Sequence, residues 1–158
     1  MFAATSNIKK KKYLENLGVD RVLTNEKLLE NTKMNLCKKE WQGVIDTIGG
    51  EVLSVCIKKT HEKGVIVSVG NVSTDDLYLN ILPFILRGVR LIGVNAENQS
   101  YNSKMNIWNK ITYDWKFDFN LLNTKCIFLN DISKYSELML MGEIEGRVVI
   151  NVNNFGYE

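Results

Sequence analysis

Histidine occurs once in this sequence, at His61, and proline once, at Pro83. The three cysteines, Cys37, Cys56 and Cys126, stand far apart, and no C-x-x-C pair or His/Cys cluster has the spacing of zinc ligands. A structural zinc takes four such ligands, commonly in closely spaced pairs, so the sequence argues against one. An odd cysteine count with no signal peptide points away from a disulfide framework and toward a reducing cytosol. Long apolar runs are also missing. The longest, such as Leu79–Leu86, fall far short of the roughly 20 residues that span a bilayer. Twenty basic residues against 18 acidic ones leave a net charge of +2, too little to argue for nucleic acid or a membrane surface. The one basic cluster, Lys9-Lys10-Lys11-Lys12, reads first as a solvated helix face and second as a contact for a cofactor phosphate. No nucleophile–base pair and no paired carboxylates stand out, and His61 has no partner in sequence.

What is present is ordinary for one folded domain. The chain has 158 residues, 45% of them hydrophobic and 24% charged, enough to build a core without disulfides or metals. Met1–Ala4 reads as a short buried strand, and Ile8–Leu17 as a helix closed by Gly18. Val22-Leu23 is a brief strand, and Asn25 a candidate cap for a helix running to about Lys39, with Leu28, Leu29 and Leu36 on its apolar face. Val44–Ile48 is a strand ended by Gly49-Gly50, and Val52–Lys59 is helical. Gly64–Gly70 is the clearest strand, its near-continuous apolar run being typical of a parallel sheet covered on both faces. A polar loop, Asn71–Asp76, leads to a helix over Leu79–Leu86, where Pro83 sits just after the start. Val89–Val94 is a strand and Ser103 to about Lys116 an amphipathic helix. Ile127–Leu129, Asp131–Met141 and Arg147–Val152 then read as strand, helix and strand. Regular alternation of strands and helices predicts an α/β fold, a doubly wound parallel sheet that binds ligands at the carboxyl ends of its strands. Asp46 at a strand end reads as a structural acceptor, and Asp75-Asp76 as a solvated loop.

Several segments in shared order carry a resemblance. Trp41–Gly50 contains a D-x-I-G turn after an apolar strand, and Leu82-Pro83-Phe84-Ile85-Leu86-Arg87-Gly88-Val89 is followed by Leu91-Ile92-Gly93-Val94. With Tyr13-Leu14, Leu17-Gly18, Trp108 and Ile144-x-Gly146-Arg147, these segments resemble the medium-chain dehydrogenase/reductases, in particular the zinc-free quinone oxidoreductase-like subgroup that includes NADPH-dependent acrylyl-CoA reductase. The resemblance runs from Met1 to about Val152. It implies an incomplete Rossmann-type sheet that begins at the second strand, without the first βα unit, its glycine-rich loop or the GroES-like substrate domain. Residues 1–120 would be a partial NADP-binding domain, and residues 121–158 a segment completing the catalytic domain. No G-x-G-x-x-G loop is present, and Gly49-Gly50 follows a different strand. The pyrophosphate anchor that such a loop supplies is therefore expected to be missing.

The same resemblance nominates cofactor contacts. Thr5-Ser6-Asn7 stand where the subgroup has a Ser-Gly-Arg-like segment. Thr5 and Ser6 can donate to a 2′-phosphate, whereas Asn7 lacks a guanidinium, leaving Lys9 or Lys10 as substitute point charges. No acidic residue stands there to hold a free 2′-hydroxyl, which leans the reading to NADP(H) over NAD. The alternative is an ordinary polar turn. Asn25 falls where a second phosphate-binding arginine is common, but as an asparagine it reads first as a helix cap. Asn71 after Gly70, Ile85, and Ala96 after Asn95 align with positions on the nicotinamide side. Arg147 aligns with an arginine near the cofactor, or is a surface cation opening an edge strand.

Two functions follow from the resemblance. One is a cytoplasmic, zinc-independent, NADPH-dependent reductase of an activated C=C bond in acrylyl-CoA, another enoyl thioester or a quinone, the isolated chain being weak or inactive. The other is a non-catalytic fragment or interaction module that dimerises along Val89–Val94 or pairs with a separate N-terminal half. With no first strand, the chain is also expected to be marginally stable or prone to associate.

Overall fold

A computed structural model describes residues 1–73, 75–115 and 118–153. Thr74 of the expected polar loop and Lys116 at the expected end of a helix lie outside the described residues. Seven strands pair only in parallel: β1 (Phe2–Thr5) with β2 (Arg21–Thr24), β3 (Trp41–Asp46) with β4 (Thr60–Ser68), β4 with β5 (Arg90–Gly93), and β6 (Thr124–Phe128) with β7 (Arg147–Asn151). Helices fall between paired strands: α1 (Lys11–Asn16) in the first pair, α3 (Gly50–Lys58) and α4 (Leu82–Arg87) in the three-stranded sheet, and α6 (Ile132–Leu140) in the last pair. Parallel partners need such crossovers, so the fold is α/β as the alternation predicted. The sheets are ordered β1-β2, β3-β4-β5 and β6-β7. A doubly wound sheet of order 3-2-1-4-5-6, counted from its second strand, contains the same neighbours, 3-2 and 4-5-6.

The chain divides into two compact units, Met1–Thr24 with Asn109–Glu158, and Asn25–Trp108. In the second unit the core lies on one face of β3-β4-β5. Leu53 and Ile57 of α3 meet Ile66 of β4 and Val89, with Val44, Leu79 and Phe84 packed around them. A second cluster joins Leu28 of α2 (Asn25–Leu29) to Val55 and Cys56. Ile57 and Ile66 are fully buried, and each such side chain stabilises the fold by about 1.5–3 kcal/mol. The apolar run of β4 predicted cover on both faces. Within this unit the opposite face carries Ile45 at 80% exposure and Ile92 at 44%. In the first unit Val19, Leu23 and Ile127 are buried.

Local sequence explains several element ends. Asn80 Oδ1 accepts from Leu82 N at 2.9 Å where α4 starts, and Pro83 sits in the first turn, where its missing N–H costs nothing. Gly88, left-handed at φ 60°, closes the same helix, with Val89 N donating to Pro83 O. The helix expected from Asn25 to about Lys39 ends instead at Leu29. Asn31 adopts a left-handed φ of 57°, and Thr32 Oγ1 donates to Leu29 O, a conformation and a bond that asparagine and threonine supply readily at chain reversals. The irregular segment beyond is held from outside. Lys59 Nζ donates to Leu28 O, Lys58 Nζ to Thr32 O, and Arg87 Nη2 to Cys37 O.

β4 starts earlier than the apolar run indicated and contains His61. Its pairing with β3 jumps from Trp41↔Thr60 to Gly43↔Val65. Gly64 permits the crowding at this bulge, because a Cβ there would meet Thr60 Cγ2 at 2.3 Å and Gln42 O at 2.8 Å. The helix expected from Ser103 becomes α5 (Tyr101–Asn109), continued by a π-helical turn at Lys110–Asp114.

Candidate functional site

In the first unit, β1 ends in a closed turn. Thr5 Oγ1 accepts from Asn7 N at 3.1 Å and donates to Asn7 O. Asn7 Oδ1 accepts from Lys9 N at 3.1 Å, capping a 3-10 turn, while its Nδ2 donates to Gly142 O. Lys10 Nζ donates to Ile144 O at 2.7 Å. Asn7 and Lys10 thus tie the strand-end turn to the 142–144 turn, an arrangement 135 residues apart in sequence. Ser6 is exposed, and residues 5–12 contain no acidic side chain. Lys9 belongs to one face of α1 and its leading turn that, with Lys12, Tyr13 and Asn16, walls a cleft of about 320 Å³ closed by Asn123 and Glu145. Arg147 opens β7, where its N–H donates to Asn123 O and its exposed guanidinium to the adjacent Gly146 O. No hydrogen bond joins Arg147 to Thr5, Ser6 or Asn7 among the described residues.

In the second unit the carboxyl ends of β3 and β4 are clasped together. Asp46, 3% exposed, accepts from Ile48 N and Gly49 N at Oδ1 (3.1 Å each) and from Ser68 Oγ at Oδ2 (2.8 Å). Its carbonyl accepts from Val69 N at 2.8 Å. Thr47 O and Ile48 O then accept from Val72 N and Ser73 N. Asn71 is exposed and stands between these anchors, next to Gly49. Asp46 is the structural acceptor that its place at a strand end indicated. Ile85 projects from α4 at 67% exposure, and Ala96 is exposed in the loop after β5. The preceding Asn95 uses Oδ1 to accept from Glu97 N and Asn98 N. Asn25 is the first residue of α2 rather than a cap preceding it.

Sequence reasoning missed Arg87. Its Nη1 donates to Lys58 O and Thr60 O at 2.9 and 3.0 Å, and its Nη2 to Cys37 O at 2.7 Å. The side chain gathers the end of α3, the start of β4 and the irregular 30–40 segment. A lone arginine before a helix-ending glycine was the available signal, and it reads just as well as a surface cation.

The side chains offer little to a transition metal. Among the described residues no group of three or more His, Cys, Asp or Glu lies together. Burial pushes the Cys56 thiol up to about 12, with Asp46 adding and Lys59 opposing, so it holds its proton where a zinc ligand must lose one. Cys37 donates its thiol to Met34 O. These residues do not fit a zinc site.

Residues 1–109 match the zinc-binding dehydrogenase family. The chain is 28% identical over 141 residues to acrylyl-CoA reductase AcuI of Ruegeria pomeroyi, covering 89% of this chain and 43% of that one. It is 28% identical over 151 residues to the putative quinone oxidoreductase YhfP of Bacillus subtilis, covering 95% and 46%. The crystal structure of YhfP with NAD bound superposes with a TM-score of 0.87 over 96% of this chain. Escherichia coli YhdH with bound NADPH superposes at 0.86 with 29% identity, again over 96% of this chain and 46% of the other. The chain spans under half the length of the curated relatives it matches. Its parallel α/β architecture and its matched segments together place it: the chain belongs to the zinc-binding dehydrogenase family, as a medium-chain dehydrogenase/reductase of the quinone oxidoreductase-like kind.

Proposed function

We propose that the chain belongs to a zinc-independent, NADPH-dependent reductase that adds hydride across an activated C=C bond in acrylyl-CoA, another enoyl thioester or a quinone. The observation that carries this reading is the likeness, over 96% of the chain, to a protein whose structure holds NADPH. Residues 1–120 form the cofactor-binding part, and residues 121–158 complete the catalytic domain. NADPH, when bound, supplies the hydride, and an enoyl substrate would then take a proton at the neighbouring carbon. The protein's own part is to bind and orient.

Ser6 presents a free hydroxyl and Thr5 one already engaged with Asn7 O, beside Lys9, at a strand end without a carboxylate. That chemistry suits a 2′-phosphate better than a free ribose hydroxyl. Arg147 is a further cation for the cofactor, and Asn7 contributes by fixing the turn. By the resemblance Asn25 stands in place of a common arginine and Ala96 in place of a common serine, so the chain holds its cofactor weakly. Asn71 and Ile85 face the ring end. YhfP was crystallised with NAD, which makes preference the sharpest test. Calorimetric titration of NADPH and NADH into the chain is expected to show NADPH binding several-fold tighter. Equal affinities would overturn the preference.

A second reading, an interaction module, is favoured by β5. Among the described residues its one hydrogen-bonded neighbour is β4, and all four of its residues are exposed, with Leu86 of α4 exposed as well. A second copy pairing along this edge would give a homodimer, and sedimentation analysis would detect it. No described helix is long and apolar enough to cross a membrane. A cytoplasmic location fits the three free thiols.

A further inference from the structure

We propose that the cleft beside α1 binds a small peptide-like zwitterion, with Lys12 taking its carboxylate and Glu145 its ammonium group. Neither residue is among the cofactor contacts named above, so the inference stands apart from the nicotinamide reading. The cleft lies wholly within the first unit. Its volume of about 320 Å³ falls at the lower end of small-ligand sites, roughly 300–1,000 Å³. One wall comes from α1 and the turn leading into it, the other from Leu121, Asn123 and Glu145.

The two walls are fixed to each other. Lys10 Nζ crosses to Ile144 O at 2.7 Å, and Asn7 Nδ2 to Gly142 O at 3.4 Å. Beyond Glu145, Arg147 N donates to Asn123 O at 2.8 Å, and a Cβ on Gly146 would meet that same oxygen at 2.0 Å. The main chain carrying Glu145 is thus held on both sides, and the fold sets the width of the cleft. The polar side chains around it are unspent. Among the described residues, those of Lys9, Lys12, Tyr13, Asn16, Asn123 and Glu145 make no hydrogen bond or ion pair.

The charges are sorted by wall, two ammonium groups on one and a carboxylate on the other, and neither lysine pairs with Glu145. A ligand that meets both walls therefore has a negative and a positive end set apart. A free amino acid carries both on one carbon. A dipeptide carries them on successive Cα atoms, about 3.8 Å apart, and places one N–H and one C=O between them for the carboxamides of Asn16 and Asn123. Half-buried Tyr13 offers a ring face to an apolar side chain, with Leu121 on the other wall. Glu145 repels a polyphosphate, which sets this cleft against nucleotide phosphates.

The test is a nuclear magnetic resonance titration of the isotope-labelled full chain with glycyl-phenylalanine, its N-acetyl form and its C-terminal amide. Signals of Tyr13, Asn16 and Asn123 are expected to shift together and to saturate with a Kd of about 1 mM, the strength of a few contacts in an open cleft. Each capped peptide should bind about fivefold more weakly, one exposed charge contact's worth. Lys12→Met should remove the preference for the free carboxylate over the amide. Glu145→Gln should remove the preference for the free amine over the acetyl form, and each variant should keep the other preference. Both side chains are exposed, so neither change disturbs the fold. If the free dipeptide gives no saturating shifts at tens of millimolar, or binds no better than its capped forms, the inference is overturned. If adenosine 2′,5′-bisphosphate moves the same three signals and displaces the dipeptide, the cleft is a phosphate site, and the inference falls while the cofactor reading stands. NADPH that binds without displacing the dipeptide supports both.

Discussion

Replacing Arg87 tests how the second unit is held together. Its guanidinium makes three charge-assisted bonds to main-chain carbonyls, at 2.7, 2.9 and 3.0 Å, reaching Cys37, Lys58 and Thr60. Hydrogen bonds to a charged group contribute about 1.5–3 kcal/mol each when removed singly. The side chain is only half-buried, so water reaches vacated carbonyls and the three do not add. Arg87→Ala is expected to cost about 3 kcal/mol in all, including the packing of its stem. Arg87→Lys keeps the charge but not the fork, re-forms one of the three bonds, and is expected to cost about half as much. A chain of this size loses roughly 2–4 °C of Tm per kcal/mol. Thermal unfolding followed by circular dichroism should thus show drops of about 6–12 °C for alanine and 3–6 °C for lysine. If both variants melt within a degree of wild type, the clamp is not what orders the 30–40 segment.

Further outcomes follow from the same structure. Ile66→Ala in β4, where the side chain is fully buried against Leu53 and Ile57, should cost about 2–5 kcal/mol in urea unfolding. Gly64→Ala should destabilise through its clash with Thr60 and the Gln42 carbonyl, and Thr60→Ser in the same chain should relieve part of that loss. The Cys56 thiol is raised from 9.0 to about 12, so the fold favours its protonated form. That contribution is intact below about pH 9 and is lost as pH rises toward 12, so urea midpoints should fall at high pH, and less steeply in Cys56→Ala. Thiol reagents should label exposed Cys126 at once, and buried Cys37 and Cys56 only as the chain opens. Prolonged chelation should leave the Tm unchanged, and a Tm drop would reveal a metal that these residues do not predict.

Much of the fold was legible because it is written locally. The apolar runs at β1, β4 and β5 announce parallel strands, and Pro83 with Gly88 marks both ends of α4. Of the three strands only β4 carries buried residues; β1, read as buried, has none, and all four residues of β5 are exposed. The helix expected over residues 25–39 was not, since Leu28, Leu29 and Leu36 fit a helical face equally well. What ends it is tertiary: three cations from α3, its C-terminus and α4 bind the carbonyls of Leu28, Thr32 and Cys37. No local pattern encodes that. The site divides in the same way. Asp46 and Asn71 stand at strand ends that a sequence can identify, yet their link through Gly49 exists only once β3 and β4 pair in parallel register. Thr5-Ser6-Asn7 was recognisable as a strand-end turn, but nothing nearby shows that Asn7 reaches Gly142 and Lys10 reaches Ile144.

The proposed role of this chain is the cofactor-binding part of a nicotinamide-dependent reductase. Titrating NADPH into the purified chain, with binding followed by calorimetry, tests it most directly. Saturable binding, weaker in Thr5→Ala/Ser6→Ala and in Arg147→Ala, is the predicted result. Heats that never saturate at millimolar NADPH, in a chain shown to be folded, would contradict it.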